Sequence, residues 1–258
     1  MTPPLLDRAI TSLRAHHDDL ATLVPTLTDE QLVGPSGASE WTLAQVLSHL
    51  GSGAEISRRP IAVAAGLDVT AEDNQAVWAR WDGSTPQEQA AAYVEHDRAY
   101  IETVESLTDE QKAGLSIDLG FLPAPVPLSV AIGMRLNEVA NHVWDVKVAV
   151  DPAARIDAEA AAILVELFAG DLSFLLGFSA KADQLDGSVT VAFPGGGLAI
   201  ADSVTVTTGP VVAAATFDGP QEAVVRLLSG RLRPPYDAGV GVTGDVSLDD
   251  LRKVFPGY

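Results

Sequence analysis

The stretch "NEVANHVWD", residues 137–145, lies within an apolar segment and carries three polar side chains at regular intervals. Glu138, His142 and Asp145 are separated by four and three residues, and these intervals place side chains on one face of an α-helix. A carboxylate and an imidazole four residues apart can bind one metal ion, although the same pair is also common as a surface contact. The stretch therefore predicts a helix whose polar stripe is either a solvated edge or a site.

The residues around this stretch predict how the helix packs. From about residue 129 to residue 150, apolar side chains recur at helical spacing beside the polar stripe: Ile132, Leu136, Val139, Val143, Val146 and Val150. A continuous apolar stripe of this kind packs against other helices, as in a four-helix bundle. The polar stripe is then expected to face partly inward.

Further helices are predicted in the first two-thirds of the chain by apolar spacing and by possible capping residues. The long ones cover residues 5–24, 41–65 and 86–106, and a short one covers residues 28–32 with Thr28 as its cap. The stretch "TDEQK", residues 108–112, repeats this cap-like pattern. His49 lies in the second long helix beside Leu47 and Leu50, on or near the core face. It is either a buried histidine with one hydrogen bond or a ligand in a site between facing helices. Trp41 is interpreted as a packing anchor, and His17 and His96, which stand beside acids, as surface residues.

The last third of the chain has a different pattern. After a helix near 157–176, short alternating or β-branched segments predict strands: "GSVTVAF", "LAIAD", "VTVTT" and "VVAAATFDG". A helix ending near Gly230 and a last short helix from Ser247 follow. The predicted fold class is an N-terminal four-helix bundle, residues 1–178, followed by a smaller C-terminal α+β domain, residues 179–258.

Composition restricts the function. The chain has 258 residues, a formal net charge of −19 and no cysteine. Strong negative charge disfavours binding to phosphate backbones and anionic lipid, so we expect neither nucleic acid nor a membrane as a partner. Without cysteine, the chain cannot form disulfides, thiolate zinc sites or a cysteine nucleophile. Because neither a secretory signal nor a long apolar span is evident, we expect a cytoplasmic protein.

Two motifs together resemble a known family. "WTLAQVLSH", residues 41–49, and the Glu138, His142 and Asp145 pattern some ninety residues later are similar to the mycothiol-dependent maleylpyruvate isomerase family, which belongs to the DinB-like metalloenzyme bundles. The tail "VVRLLSGRLRPPYDAGVGVTGDVSLDDL", residues 224–251, resembles the C-terminal domain of that family, with Arg231 in its Gly-Arg position. The resemblance covers nearly the whole chain.

The resemblance implies a catalytic metal centre. His49, Glu138 and His142 would be the ligands of zinc or another divalent ion, and a fourth position would stay open. Asp145 would orient a ligand, the alternative being a solvent-facing acid. Arg231 would bind an anionic substrate, the alternative being a cap for the carbonyl groups at the end of its helix.

The resemblance also implies a reaction. Mycothiol, a low-molecular-weight thiol, would be the cosubstrate, and its metal-activated thiolate would add to an electrophilic small molecule. The result would be either cis-trans isomerisation of a maleylpyruvate-type substrate or transfer of the thiol. Two alternatives use the same ligands: a non-catalytic metal or small-molecule binding protein, and a metal-dependent hydrolase that uses bound water.

Overall fold

The computed structural model describes residues 3–70 and 72–257, and their contacts form two compact units. The first unit ends at Asp151 and the second begins at Pro152. The helices of the first unit are α1 (Leu5–Leu23), α2 (Asp29–Val33), α3 (Leu43–Ala64), α4 (Asn74–Asp82), α5 (Pro86–Glu105), α6 (Asp109–Gly114) and α7 (Leu128–Val150). Strands β1 (Ser116–Ile117) and β2 (Val126–Pro127) form a short antiparallel pair before α7.

The four long helices of the first unit form the predicted bundle. Helix α3 packs against α5 and α7, and α1 packs against the same two helices. The predicted apolar stripe of α7 supplies the core, because Ile132, Leu136 and Val146 have no exposed surface and Val139 and Val143 are also buried. The predicted N-terminal cap at Thr28 is present as a capping box of α2, and α3, α5 and α6 also begin with a threonine capping box.

The second unit combines helices with a mixed sheet, as predicted. Its helices are α8 (Ala158–Phe168), α9 (Leu176–Ser179), α10 (Gln221–Leu228) and α11 (Leu248–Val254). Its strands are β3 (Val189–Phe193), β4 (Gly196–Ile200), β5 (Val204–Thr208), β6 (Ala215–Asp218) and β7 (Gly241–Gly244). The strand order is β5-β4-β3-β6-β7, in which only the β3–β6 pairing is parallel.

The division between the units falls earlier than the boundary expected after residue 178. Helix α8 packs on α10 and β5, which are elements of the second unit. The expected helix over 157–176 is also divided, since α8 ends at Phe168 and a separate 3₁₀ turn covers Ser173–Leu175. The sequence places α8 before the boundary because the pattern of short β-branched segments begins only after this helix.

None of the helices in the described ranges is by itself long and apolar enough to cross a membrane. Residues Ala158–Phe168 and Ser173–Ser179 meet the length and composition together, but the pair is bent by 84°.

Candidate metal centre

Three side chains from α3 and α7 meet at one point of the first unit. The ligand atoms of His49, Glu138 and His142 all lie within 4.8 Å of one another. Oε2 of Glu138 is 3.1 Å from Nε2 of His49 and 3.6 Å from Nε2 of His142. The structure therefore brings together the three residues that the resemblance implies as ligands.

Helix geometry explains this convergence. Glu138 and His142 are one turn apart on α7, so both side chains reach the same side of that helix. Helix α3 packs against α7 and carries His49 in its second turn, after a start fixed by the capping box of Thr42 and Gln45. The side chains of His49 and Glu138 are 41% and 45% exposed, so the cluster is open to solvent on one side.

Asp145 contacts the cluster through the ring of His142. Its side chain has no exposed surface, and its Oδ2 lies 2.9 Å from Nδ1 of His142. Since a carboxylate only accepts, Nδ1–H of His142 donates to it, and Nε2 is the ring nitrogen directed towards Glu138. The alternative of a solvent-facing acid is excluded by this burial.

Trp41 covers both histidines. Its ring is nearly parallel to that of His142, with the centroids 5.7 Å apart, and it lies 5.0 Å from the centroid of His49. The loop before α3 holds it there, because N–H of Gly37 donates to the backbone oxygen of Asp145 at 2.8 Å. A Cβ at Gly37 would lie 2.8 Å from Cα of Asp145, so this close approach requires glycine. The interpretation of Trp41 as a packing anchor misses this role at the cluster.

The cluster also controls the charge of Glu138. Partial desolvation of its carboxyl in the cluster favours the neutral form, but the interactions with the imidazoles of His142 and His49 oppose it and hold the pKa of Glu138 well below its ordinary range. Glu138 is therefore an ionised oxygen donor beside two imidazole nitrogens.

The donor set and its spacing fit a divalent metal ion. Two donors at tetrahedral positions about 2.1 Å from zinc are roughly 3.4 Å apart, close to the separations of Glu138 from His49 and His142. Two nitrogens and one carboxylate oxygen are a common set for zinc and other divalent transition ions. Three protein ligands with one open side are typical of a catalytic site.

Comparison with protein families identifies the first unit. Residues 13–147 match the mycothiol maleylpyruvate isomerase N-terminal domain, and this segment is more than half of the chain. The chain belongs to this family. The matched segment includes all three residues of the cluster, and the family membership confirms the resemblance drawn from the two motifs.

Individual relatives agree with the family assignment. Two uncharacterized proteins from different strains of Mycobacterium tuberculosis are each 30% identical to the chain over 152 residues, which is 58% of this chain and 72% of theirs. Crystal structures of the mycothiol-dependent maleylpyruvate isomerase and of a mutant with a histidine replaced by alanine share its fold. Each has a TM-score of 0.61, 18% sequence identity and coverage of 95% of this chain and 98% of theirs.

Arg231 belongs to the second unit and follows α10. Its Nη1 donates to the backbone oxygen of Ser229 at 3.3 Å, at the end of that helix. This contact agrees with the capping alternative, and the substrate-binding role that the resemblance implies stays a prediction.

The interpretation of His17 as a surface residue is wrong. Its side chain is 3% exposed, and Nδ1 lies 3.0 Å from Oδ2 of Asp97 on α5. His96 is only partly exposed, and its Nδ1 lies 3.5 Å from Oε2 of Glu55. Local acids predict a solvated histidine, but the partners of both residues come from other helices, which local spacing does not reveal.

Proposed function

We propose that the chain is a divalent-metal-dependent enzyme that uses a low-molecular-weight thiol, mycothiol in the family, as its cosubstrate. The observation that carries the proposal is the convergence of His49, Glu138 and His142 within 4.8 Å on the open side of the bundle. The family membership supports the choice of thiol and of an isomerase reaction. Zinc is the proposed ion, because it favours this set of nitrogen and oxygen donors.

Each residue of the cluster has a defined part in this proposal. His49 and His142 would present Nε2 and Glu138 would present Oε2 to the ion. Asp145 would hold the ring of His142 through Nδ1, and Trp41 would shield one side of both imidazoles from water. A bound divalent ion would lower the pKa of a thiol at the open position, so that the thiolate is available at neutral pH.

The chemistry that follows needs no nucleophile from the protein, which has no cysteine. The thiolate sulfur bonds to one carbon of an electrophilic double bond, and the electron pair moves to the neighbouring conjugated group. Rotation about the resulting single bond and departure of the same sulfur give the trans isomer, with no net change in atoms. If a proton is taken up instead of the sulfur leaving, the product is a thioether.

The first test is metal content. Protein purified without a histidine tag or chelator is analysed by elemental mass spectrometry, beside His49→Ala and the control His96→Ala, which lies outside the cluster. We expect about one zinc-like ion per chain in the parent and the control and a much smaller amount in His49→Ala. No ion in the parent, even after zinc is added, would contradict the metal centre.

The second test is activity. The metal-loaded protein is assayed for isomerisation of maleylpyruvate with and without mycothiol. We expect turnover only when the thiol is present, and loss of turnover in His49→Ala. Thiol-independent hydrolysis by the loaded protein would contradict the proposed reaction while leaving the metal centre intact.

A further inference from the structure

A buried polar network joins the four long helices behind the candidate metal centre. Arg135 on α7 is 5% exposed, and its Nη2 donates at 2.9 Å both to Oδ1 of Asp97 on α5 and to the backbone oxygen of Leu50 on α3. Asp97 also interacts with His17 on α1, at 3.0 Å. Cζ of Arg135 lies 5.4 Å from the centre of the Tyr100 ring.

The charges of this network are retained despite its burial. Burial alone raises the pKa of Asp97, but the hydrogen bond from His17 and the charge of Arg135 oppose it and keep that pKa below its ordinary value. Arg135 therefore faces an ionised carboxylate. Its Nη2 connects α7 to both α3 and α5, although its Nε has no hydrogen-bond partner in the described part of the chain.

The contact with α3 falls directly beside a residue of the metal centre. Leu50 follows His49, so Arg135 bonds to the backbone of the turn that carries this imidazole. Arg135 itself is one turn before Glu138 on α7. One side chain thus connects the backbone beside His49 to the helix that carries Glu138 and His142.

The sequence of α3 makes external support necessary at this turn. Gly51 and Gly53 lie in the helix interior, where each glycine costs about 1 kcal/mol relative to alanine. A Cβ at Gly53 would lie 3.0 Å from Nη1 of Arg135, so the missing side chain leaves room for the guanidinium. The turn after His49 is therefore weak by itself and is contacted by Arg135.

We propose that Arg135 is a positioning residue for His49, acting through the backbone oxygen of Leu50. If His49 is a metal ligand, as the proposed function requires, Arg135 also sets the affinity of the metal centre. The inference rests on the proposed function in this respect. Arg135 itself would touch neither the metal ion nor the substrate.

The test compares two arginines that both join α3 to α5. Arg135→Met is made together with Asp97→Asn, so that no buried carboxylate is left without its cation. Arg58→Met is the matched control. Arg58 lies on α3 nine residues beyond His49, and its Nε donates to Thr103 on α5 at 2.8 Å. Imidazole resonances are recorded in long-range ¹H–¹⁵N spectra of metal-free protein and assigned with His49→Gln, and each chain is then titrated with zinc.

The double variant should shift and broaden the His49 resonances and bind zinc roughly tenfold more weakly. Arg58→Met should leave the His49 resonances and the zinc affinity at their parental values, even if the thermal unfolding temperature of this variant falls. Unchanged His49 resonances in the double variant, or equal changes in the control, would overturn the role of Arg135. Absence of zinc binding by the parent would contradict the proposed function instead, and the resonances would still decide the positioning role.

Discussion

At the scale of single residues, Asp145 defines the environment of His142. A buried carboxylate on Nδ1 fixes the ring of His142 and leaves Nε2 facing Glu138. We expect Asp145→Asn, which preserves the shape of the side chain, to weaken zinc binding by about tenfold to 100-fold. The measurement is competition with a chromophoric chelator.

A matched carboxylate provides the control for Asp145. Asp19 pairs with Lys147 on α7 but is half exposed and distant in sequence from the ligands. Asp19→Asn should leave zinc affinity at the parental value. Equal losses in the two variants, or no loss in Asp145→Asn, would show that Asp145 does not orient His142.

Trp41 offers a spectroscopic test of the same residues. Its ring lies 5.0 and 5.7 Å from the two imidazole centroids, so Co²⁺ bound by the histidines would quench its fluorescence. We expect Co²⁺ to lower the emission of the parent, and Trp41→Phe to abolish most of that decrease while retaining the metal. Trp78→Phe is the control, since Trp78 lies on α4 outside the cluster. A full decrease in Trp41→Phe would mean that the ion binds elsewhere.

Single residues also mark the limit of prediction from sequence. The spacing of Glu138 and His142 predicts that they share one face, because helix periodicity is local. The burial of Asp145 depends on Gly37, more than one hundred residues earlier, and that of His17 depends on Asp97. Local sequence patterns do not reveal contacts between distant residues. The sequence therefore leaves the burial of Asp145 undecided and predicts that His17 lies on the surface.

At the scale of elements, α3 contains a glycine that lowers its helix propensity but allows close packing against α4. A Cβ at Gly51 would lie 2.2 Å from the ring of Trp81 on α4. We therefore expect Gly51→Ala to destabilise the protein by about 1–3 kcal/mol, although alanine is the better helix former. Urea unfolding measures the change in free energy.

Gly114 is the control for the effect of propensity alone. It ends α6, and a Cβ there would have no neighbour within 4 Å. Gly114→Ala should be neutral or slightly stabilising. A stabilised Gly51→Ala would mean that Trp81 moves aside without cost.

The elements themselves are largely predictable, and the exceptions have physical causes. Apolar periodicity predicts α1, α3, α5 and α7 to within a few residues. Helix α4 is not predicted, because among its nine residues only Val77 and Trp81 are buried. Two buried positions in such a short segment give little periodic signal.

At the scale of the whole molecule, the three proposed ligands belong to the first unit and a buried ion pair belongs to the second. Arg226 and Glu222 on α10 are 6% and 5% exposed and share two hydrogen bonds. Glu222→Ala leaves this buried cation without its carboxylate, which costs about 3–5 kcal/mol. We expect calorimetry to show a lower unfolding temperature, while elemental analysis in the cold still finds the parental metal content.

The control for Glu222 is an exposed pair of the same unit. Asp249 is 80% exposed and pairs with Arg252, so Asp249→Ala should change stability by less than about 1 kcal/mol. Loss of metal in parallel with loss of stability in Glu222→Ala would show that the first unit does not hold the ion independently.

The last prediction concerns Arg231, the cation of the second unit that the resemblance implies as a substrate contact. In a chain with a net charge of −19, an anionic substrate such as maleylpyruvate requires a local positive charge. We expect Arg231→Ala to retain its metal, because the three proposed ligands lie in the first unit, and to lower kcat/KM for maleylpyruvate at least about tenfold. Arg155→Ala, at an exposed position of the same unit, is the control and should keep parental kinetics. If Arg231→Ala is instead less stable but kinetically unchanged, Arg231 has a structural role, in agreement with its contact to the backbone oxygen of Ser229 at the end of α10.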